Sequence, residues 1–196
     1  MPARRPPDIG ALLDVLTKRQ VDFVVTGSVA ALMSGVELQA GDLDITPATD
    51  SSNLERLAFA LEEIGAGPDP DGAFGDWTIA SDGEWRWVQR EARPGEREAR
   101  VDWRPDPGDP ASFDHLLETK FGALDVVPEI SGTYADLASR AARISAFGQE
   151  VLVASIADQL VTLTVPRRDK DRERVRALRA LQRPPDGVTS RRTKAT

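Results

Sequence analysis

Asp42-Leu43-Asp44-Ile45 sets two carboxylates one residue apart at the head of an apolar run. In a β-strand, residues i and i+2 point to the same face. Asp42 and Asp44 would then stand side by side, with Leu43 and Ile45 directed into a core. Like charges at that spacing repel unless something positive stands between them. A hard divalent cation with oxygen ligands meets the need, and Mg²⁺ is typically held by one or two carboxylates plus substrate phosphates. The bare pattern also fits a strand start with two solvated acids.

A second device lies upstream, where Gly27-Ser28 ends the apolar run VDFVVT. Glycine at a strand-to-helix turn lets the backbone come close to a ligand. The helix that follows offers free N–H groups and a positive dipole end to phosphate. Ser28 has a hydroxyl to cap that helix or to donate to a phosphate oxygen. A phosphate-binding turn and a paired-carboxylate metal site on adjacent strands together describe an enzyme of nucleoside triphosphates.

The elements that must position these groups follow from periodicity. Asp8 is placed to cap a helix over IGALLDVLTKRQ, with Ile9, Leu12, Leu13 and Leu16 at helical spacing. VDFVVT reads as a buried strand, SVAALMSG as a helix that Gly35 ends, and LDITP as a strand stopped by Pro47. Ser51 or Ser52 is expected to cap the helix NLERLAFALEEIGA, whose stripe is Leu54, Leu57, Ala58, Leu61 and Ile64. Residues 67–115 carry Pro, Gly, Asp and Trp, with strands expected at DWTIA, EWRWVQRE and ARVDWR in a meander. GALDVVPEI and QEVLVA read as strands. YADLASRAARI, SIADQLVTLTV (capped by Ser155) and DKDRERVRALRALQ read as helices. The expected class is α/β (α+β), a mixed twisted sheet flanked by helices.

Composition narrows the chemistry. Cys is absent from the 196 residues, which removes disulfides, thiolate zinc sites and a cysteine nucleophile. His115 is the one histidine and would have to serve a His-dependent triad or metal site alone. No stretch approaches the ~20 apolar residues of a membrane span. MPARRPPDIG carries charge without an apolar region, so no signal peptide is expected and the expected compartment is the cytoplasm. The net charge is −7, with +3 on the tail from Arg183 to Thr196 and −10 on the remainder. An acidic body makes a poor general surface for nucleic acid, so a polynucleotide partner would need a local basic groove.

Gly-Ser, thirteen residues, then Asp-x-Asp-hydrophobic resembles the signature of the nucleotidyltransferase superfamily with the DNA polymerase β-like fold. The resemblance is closest to the small bacterial nucleotidyltransferase-like proteins that include toxins of the AbiEii type. VDFVVTGSVAALMSG, DLDITPATDSSNLERLAFALEEIGA, KFGALDVVP, and VLVASIADQLVTL followed by RRDKD fall in the family's order. The resemblance implies a polymerase β-like core of about residues 8–130 and C-terminal helices over about 131–182. Both belong to one domain of residues 1–182, followed by a disordered basic tail at 183–196. It also implies a third carboxylate on a neighbouring strand. Asp125 in GALDVV fits that place, and Asp102 in ARVDWR is the competing candidate.

In such a site Asp42, Asp44 and Asp125 would hold two Mg²⁺ ions, or Mn²⁺, against the triphosphate. Asp125 would also serve as general base toward an acceptor hydroxyl. Gly27, Ser28, Lys120, Arg168 and Lys170 would contact the nucleotide; Arg168-Asp-Lys170-Asp171 resembles an Arg-x-Lys-Asp element of relatives. The implied reaction moves a nucleoside monophosphate from an NTP to a hydroxyl of RNA such as tRNA, protein or a small molecule. A toxin member would have an antitoxin partner. Relatives often place Arg and Thr where Leu38 and Ala40 stand, and Lys where Thr164 stands. Those departures keep open a catalytically weak binding module acting through a partner protein. Trp77, Trp85, Trp87 and Trp103 either stack on a base or pack on a sheet face, His115 caps a helix or lies exposed, and the run RRDKDRERVRALR reads as a solvated helix face.

Overall fold

Asp8 accepts a hydrogen bond from the Ala11 N–H at 3.0 Å and opens helix α1, Ile9–Lys18, whose buried stripe is Ile9, Leu12, Leu13, Val15 and Leu16. The computed structural model describes residues 6–69, 74–81, 85–164 and 169–182. Strand β1, Phe23–Thr26, is wholly buried and runs directly into the short helix α2, Gly27–Met33. Strand β2, Leu43–Pro47, returns antiparallel to β1. Helix α3, Ser51–Glu63, is capped by Asp50, which accepts from the Asn53 N–H; the expected Ser51 or Ser52 cap gives way because Asp50 already holds extended backbone one residue earlier. Fully buried Asn53 then bonds the backbone of Asp22 and Ala48, tying α3 to both strands.

After the short strand β3, Gly67–Pro68, a separate hairpin forms from β4, Phe74–Ile79, and β5, Trp85–Arg90. Its register sets Trp77 opposite Trp87 and Ile79 opposite Trp85, although the side chains of these tryptophans fall outside those described. The third strand expected at ARVDWR is instead the helix α4, Glu96–Val101, entered through Gly95 at φ +85°. Arg100 and Arg97 of α4 lie over the Phe74 ring at 3.7 and 5.4 Å. Glu96 and Asp76 share Arg90. Polar and cation–π contacts hold this segment, and no residue of α4 is buried.

A 3₁₀ turn at Pro110–Phe113 leads to β6, His115–Thr119, and β7, Gly122–Val126. β6 was not among the expected strands, and His115, its first residue, is exposed and meets Trp103 edge-on at 5.5 Å instead of capping a helix. Trp103 itself packs partly against the core. Helix α5 covers only Tyr134–Ala138. The rest of the expected helix turns into β8, Ala142–Ala146, paired with β9, Gln149–Val153, through Phe147 and Gly148, both at positive φ. Helices α6, Ile156–Thr162, and α7, Asp169–Leu181, close the chain, with Ser155 capping α6 as expected.

The main described sheet has the order β3-β6-β7-β2-β1-β9-β8, with β2/β7 and β1/β9 parallel and the other pairs antiparallel. Helices flank it, so the fold is the mixed α/β arrangement that the sequence led one to expect. Leu43, Ile45, Leu124, Val126 and Val25 bury one face against α1 and α3. Val24 on the other face packs under Leu137 of α5. A third cluster joins Ala31 of α2, Leu163 and Leu178, which packs α7 against α2 and the end of α6. No described helix is long and apolar enough to cross a membrane.

Candidate active site

Alternation along β2 decides where the acids go. Leu43 and Ile45 are fully buried in the α1/α3 face, so Asp44 must take the other. Register extends this into a row: Thr26 of β1, Asp44 of β2, Asp125 of β7 and Leu116 of β6 are successive partners across four strands. Opposed residues share a face, which sets Asp44 and Asp125 side by side. Asp42, two residues before Asp44, stands just ahead of the strand. All three line one cleft of about 740 Å³ between one face of the sheet and α7.

The carboxylates repel one another there. Burial pushes Asp44 up to about 7, and the charges of Asp42 and Asp125 push the same way. A hydrogen bond from the Ser28 N–H and the charge of Arg174 oppose the rise. Asp125 is pushed up to about 6, by burial first and then by Asp42 and Asp114. Such a set is one that a cation would relieve. Among the described residues, no three acidic or imidazole groups close into a metal cage. The donors suit an ion that arrives with substrate phosphates as its remaining ligands, which is the usual habit of Mg²⁺.

Gly27 and Ser28 belong to the same site, with a neighbour the sequence did not reveal. The Ser28 N–H, expected to be free for phosphate, points at Asp44 Oδ2 at 3.4 Å. Ser28 Oγ lies 3.5 Å from the Asp42 carbonyl and makes no cap on α2. Gly27 has φ +61°, and a Cβ there would fall 1.9 Å from Asp44 Oδ2. The turn therefore requires glycine because the Asp44 carboxyl occupies the space beside it. Thr26 Oγ1 and Thr46 Oγ1, on the same face as Asp44, are buried without a hydrogen-bond partner.

The expected cations divide. Lys170 at the start of α7 is exposed and lines the cleft. Lys120 does not: it sits in the β6–β7 turn, its ammonium bonded to the Glu63 carbonyl at 3.0 Å, because β7 runs away from that turn before reaching Asp125. Arg168 lies outside the described residues, as does the tail 183–196. Asp102, the rival third carboxylate, is exposed at the C-terminal end of α4 and does not line the cleft. Leu38 lines the cleft, Ala40 is buried, and Thr164 is exposed with its hydroxyl on the Val161 carbonyl.

Arg174 was missed, and Asp171 was named only as part of the Arg-x-Lys-Asp element. Asp171 and Arg174 face the cleft from α7, with side chains 7% and 17% exposed. The expected solvated face does describe Arg172, Arg176 and Arg179. The signal for the inward face was present in spacing: Lys170, Asp171, Arg174 and Ala177 recur at three and four residues, ahead of buried Leu178.

No family model matches the chain, and no curated protein matches it. Among solved structures, the chain is similar to the solution structure of the antibiotic-resistance factor ANT(2'')-Ia. That match has 15% identity over 88% of this chain and 80% of that one, with a TM-score of 0.51. Similarity also extends to lincomycin-bound LnuA, a lincosamide antibiotic adenylyltransferase (13% identity, 87% and 94% coverage, TM-score 0.49). An antigenic nucleotidyltransferase-like protein from Paracoccidioides brasiliensis gives 16% identity, 88% and 72% coverage and a TM-score of 0.44. The likeness to ANT(2'')-Ia is one of fold.

Proposed function

We propose that the protein is a metal-dependent nucleotidyltransferase that moves a nucleoside monophosphate from an NTP to an acceptor hydroxyl. The observation that carries this reading is the strand register placing Asp44 beside Asp125, with Asp42 on the same cleft wall and burial raising both paired acids. Asp42, Asp44 and Asp125 would hold the divalent ions, Mg²⁺ or Mn²⁺. Bound there, the ions would neutralise phosphate charge and acidify the attacking hydroxyl. Ser28 keeps Asp44 oriented through its N–H, and Lys170 at the cleft mouth meets the triphosphate.

The acceptor oxygen forms a bond to the α-phosphorus while the bond from that phosphorus to the bridging oxygen breaks. Pyrophosphate leaves with that oxygen, and the hydroxyl proton passes to Asp125. Asp125 would act there as the general base. The finer expectation of a cytoplasmic toxin with an antitoxin partner rests on the sequence resemblance alone. An acceptor screen addresses it.

Incubation with Mg²⁺, each α-labelled NTP and separate pools of tRNA, protein and hydroxylated small molecules is expected to transfer label. Asp44→Asn should abolish the transfer. Failure of calorimetry to detect any NTP binding at millimolar Mg²⁺ would remove the proposal.

A further inference from the structure

Arg174 is built unlike the other described arginines of α7. Arg172 pairs with Asp169 at the surface, whereas the Arg174 side chain is 17% exposed and its Nε is buried with no hydrogen-bond acceptor. Its terminal nitrogen forms an ion pair with Asp171 at 3.8 Å, a separation too long for a hydrogen bond. A guanidinium carries five donors in a fixed fork, and leaving the Nε–H among them buried and unpaired is costly. Arg174 lines the same cleft as Lys170, Gly27 and the acids.

The charge of the cleft selects what can satisfy it. Among the described residues, Glu37, Asp42, Asp44, Asp125, Asp171 and Glu173 line it against Lys170 and Arg174. A bare anion meets a strongly negative lining, whereas a polyphosphate already carrying divalent cations does not. Oxyanions of that kind match the guanidinium fork in a bidentate manner. We propose that Arg174 is a nucleotide-binding residue whose guanidinium grips the metal-bound polyphosphate of the incoming NTP. This rests on the nucleotidyl-transfer reading above and adds to it a residue outside the Arg-x-Lys-Asp element.

A grip on the nucleotide and a purely structural role differ in sign when the metal is tested alone. Removing a cation near Asp44 leaves Mg²⁺ binding unchanged or tighter, yet weakens nucleotide binding. A structural defect weakens both. Calorimetry on the full chain would use Mg²⁺ alone, then Mg²⁺ with α,β-methylene analogues of the four NTPs. Arg174→Met, which keeps the apolar stem, should lose about 10- to 100-fold in analogue affinity with no loss for Mg²⁺ alone. Arg174→Lys, with charge but no fork, should recover only part of it.

Unchanged analogue affinity in Arg174→Met overturns the proposal, and so does a parallel loss of Mg²⁺ and analogue binding. Should circular dichroism show Arg174→Met unfolded, Arg174→Lys decides: a loss of threefold or more supports the grip, and wild-type affinity overturns it. No analogue binding by the unaltered protein overturns the nucleotidyl-transfer reading itself.

Discussion

Replacing Gly27 by Ala tests how tightly the turn and the acid pair are built together. The added Cβ would lie 1.9 Å from Asp44 Oδ2, 2.2 Å from Cγ and 2.8 Å from Cβ, where ordinary contact begins near 3.4 Å. The carboxyl must therefore retreat by about 1.5 Å, the difference between the first and last of those distances. Alanine at φ +61° adds a left-handed penalty of about 1 kcal/mol. Overpacking against a buried neighbour adds roughly 1–3 kcal/mol, for a total near 2–4 kcal/mol. A metal ligand displaced by more than 1 Å should cost about 100-fold or more in transfer rate. Urea denaturation and a pyrophosphate-release assay read the two effects.

A double-mutant cycle isolates the cause. In an Asp44→Gly background every atom of the clash is gone and the backbone penalty stays, so Gly27→Ala should cost about 1–3 kcal/mol less there than in the unaltered protein. Equal costs in the two backgrounds would refute the close packing of Gly27 on Asp44. So would a Gly27→Ala protein with full stability and full rate.

The raised acids also set a pH dependence. A carboxyl with a folded-state pKa above its unfolded value binds protons more readily when folded, so its contribution to stability falls as pH rises between the two. For Asp44 the window runs from about 4 to about 7 and for Asp125 to about 6, with at most about 4 kcal/mol from Asp44. Metal-free protein should thus lose urea resistance across that range, Asp44→Asn should flatten the loss, and a flat wild-type profile would contradict the burial described. Asp125→Asn should lower transfer by at least 100-fold, whereas Asp102→Asn, on the exposed end of α4, should stay within twofold in the same assay. Lys170→Ala should raise KM for the NTP several-fold and Lys120→Ala should leave it unchanged, as read from initial rates.

Much of the site was legible because strand alternation is strict. Once Leu43 and Ile45 are assigned to a core, Asp42 and Asp44 have one face left to occupy, and the same holds for Asp125 between Leu124 and Val126. The middle of the chain was harder to read for a physical reason. α4 buries no residue, so nothing in its apolar pattern marks a helical period, and ARVDWR looked like a strand. Strand β6 buries one leucine, Leu117, too few for an alternation to show. At 142–146 an alanine-rich stretch of good helix propensity is overridden by pairing with β9 and by the positive-φ pair Phe147-Gly148. The inward face of Arg174 depends on how α7 packs on Ala31 and Leu163, and no local pattern records that.

The shared metal site is the central claim, and a crystal grown with Mn²⁺ and an α,β-methylene NTP tests it most directly. Anomalous scattering should place manganese within about 2.0–2.3 Å of oxygens from Asp42, Asp44 and Asp125, with phosphate oxygens completing the shell. A nucleotide bound elsewhere, or a cleft with bound nucleotide and no metal on these three carboxylates, would contradict the account.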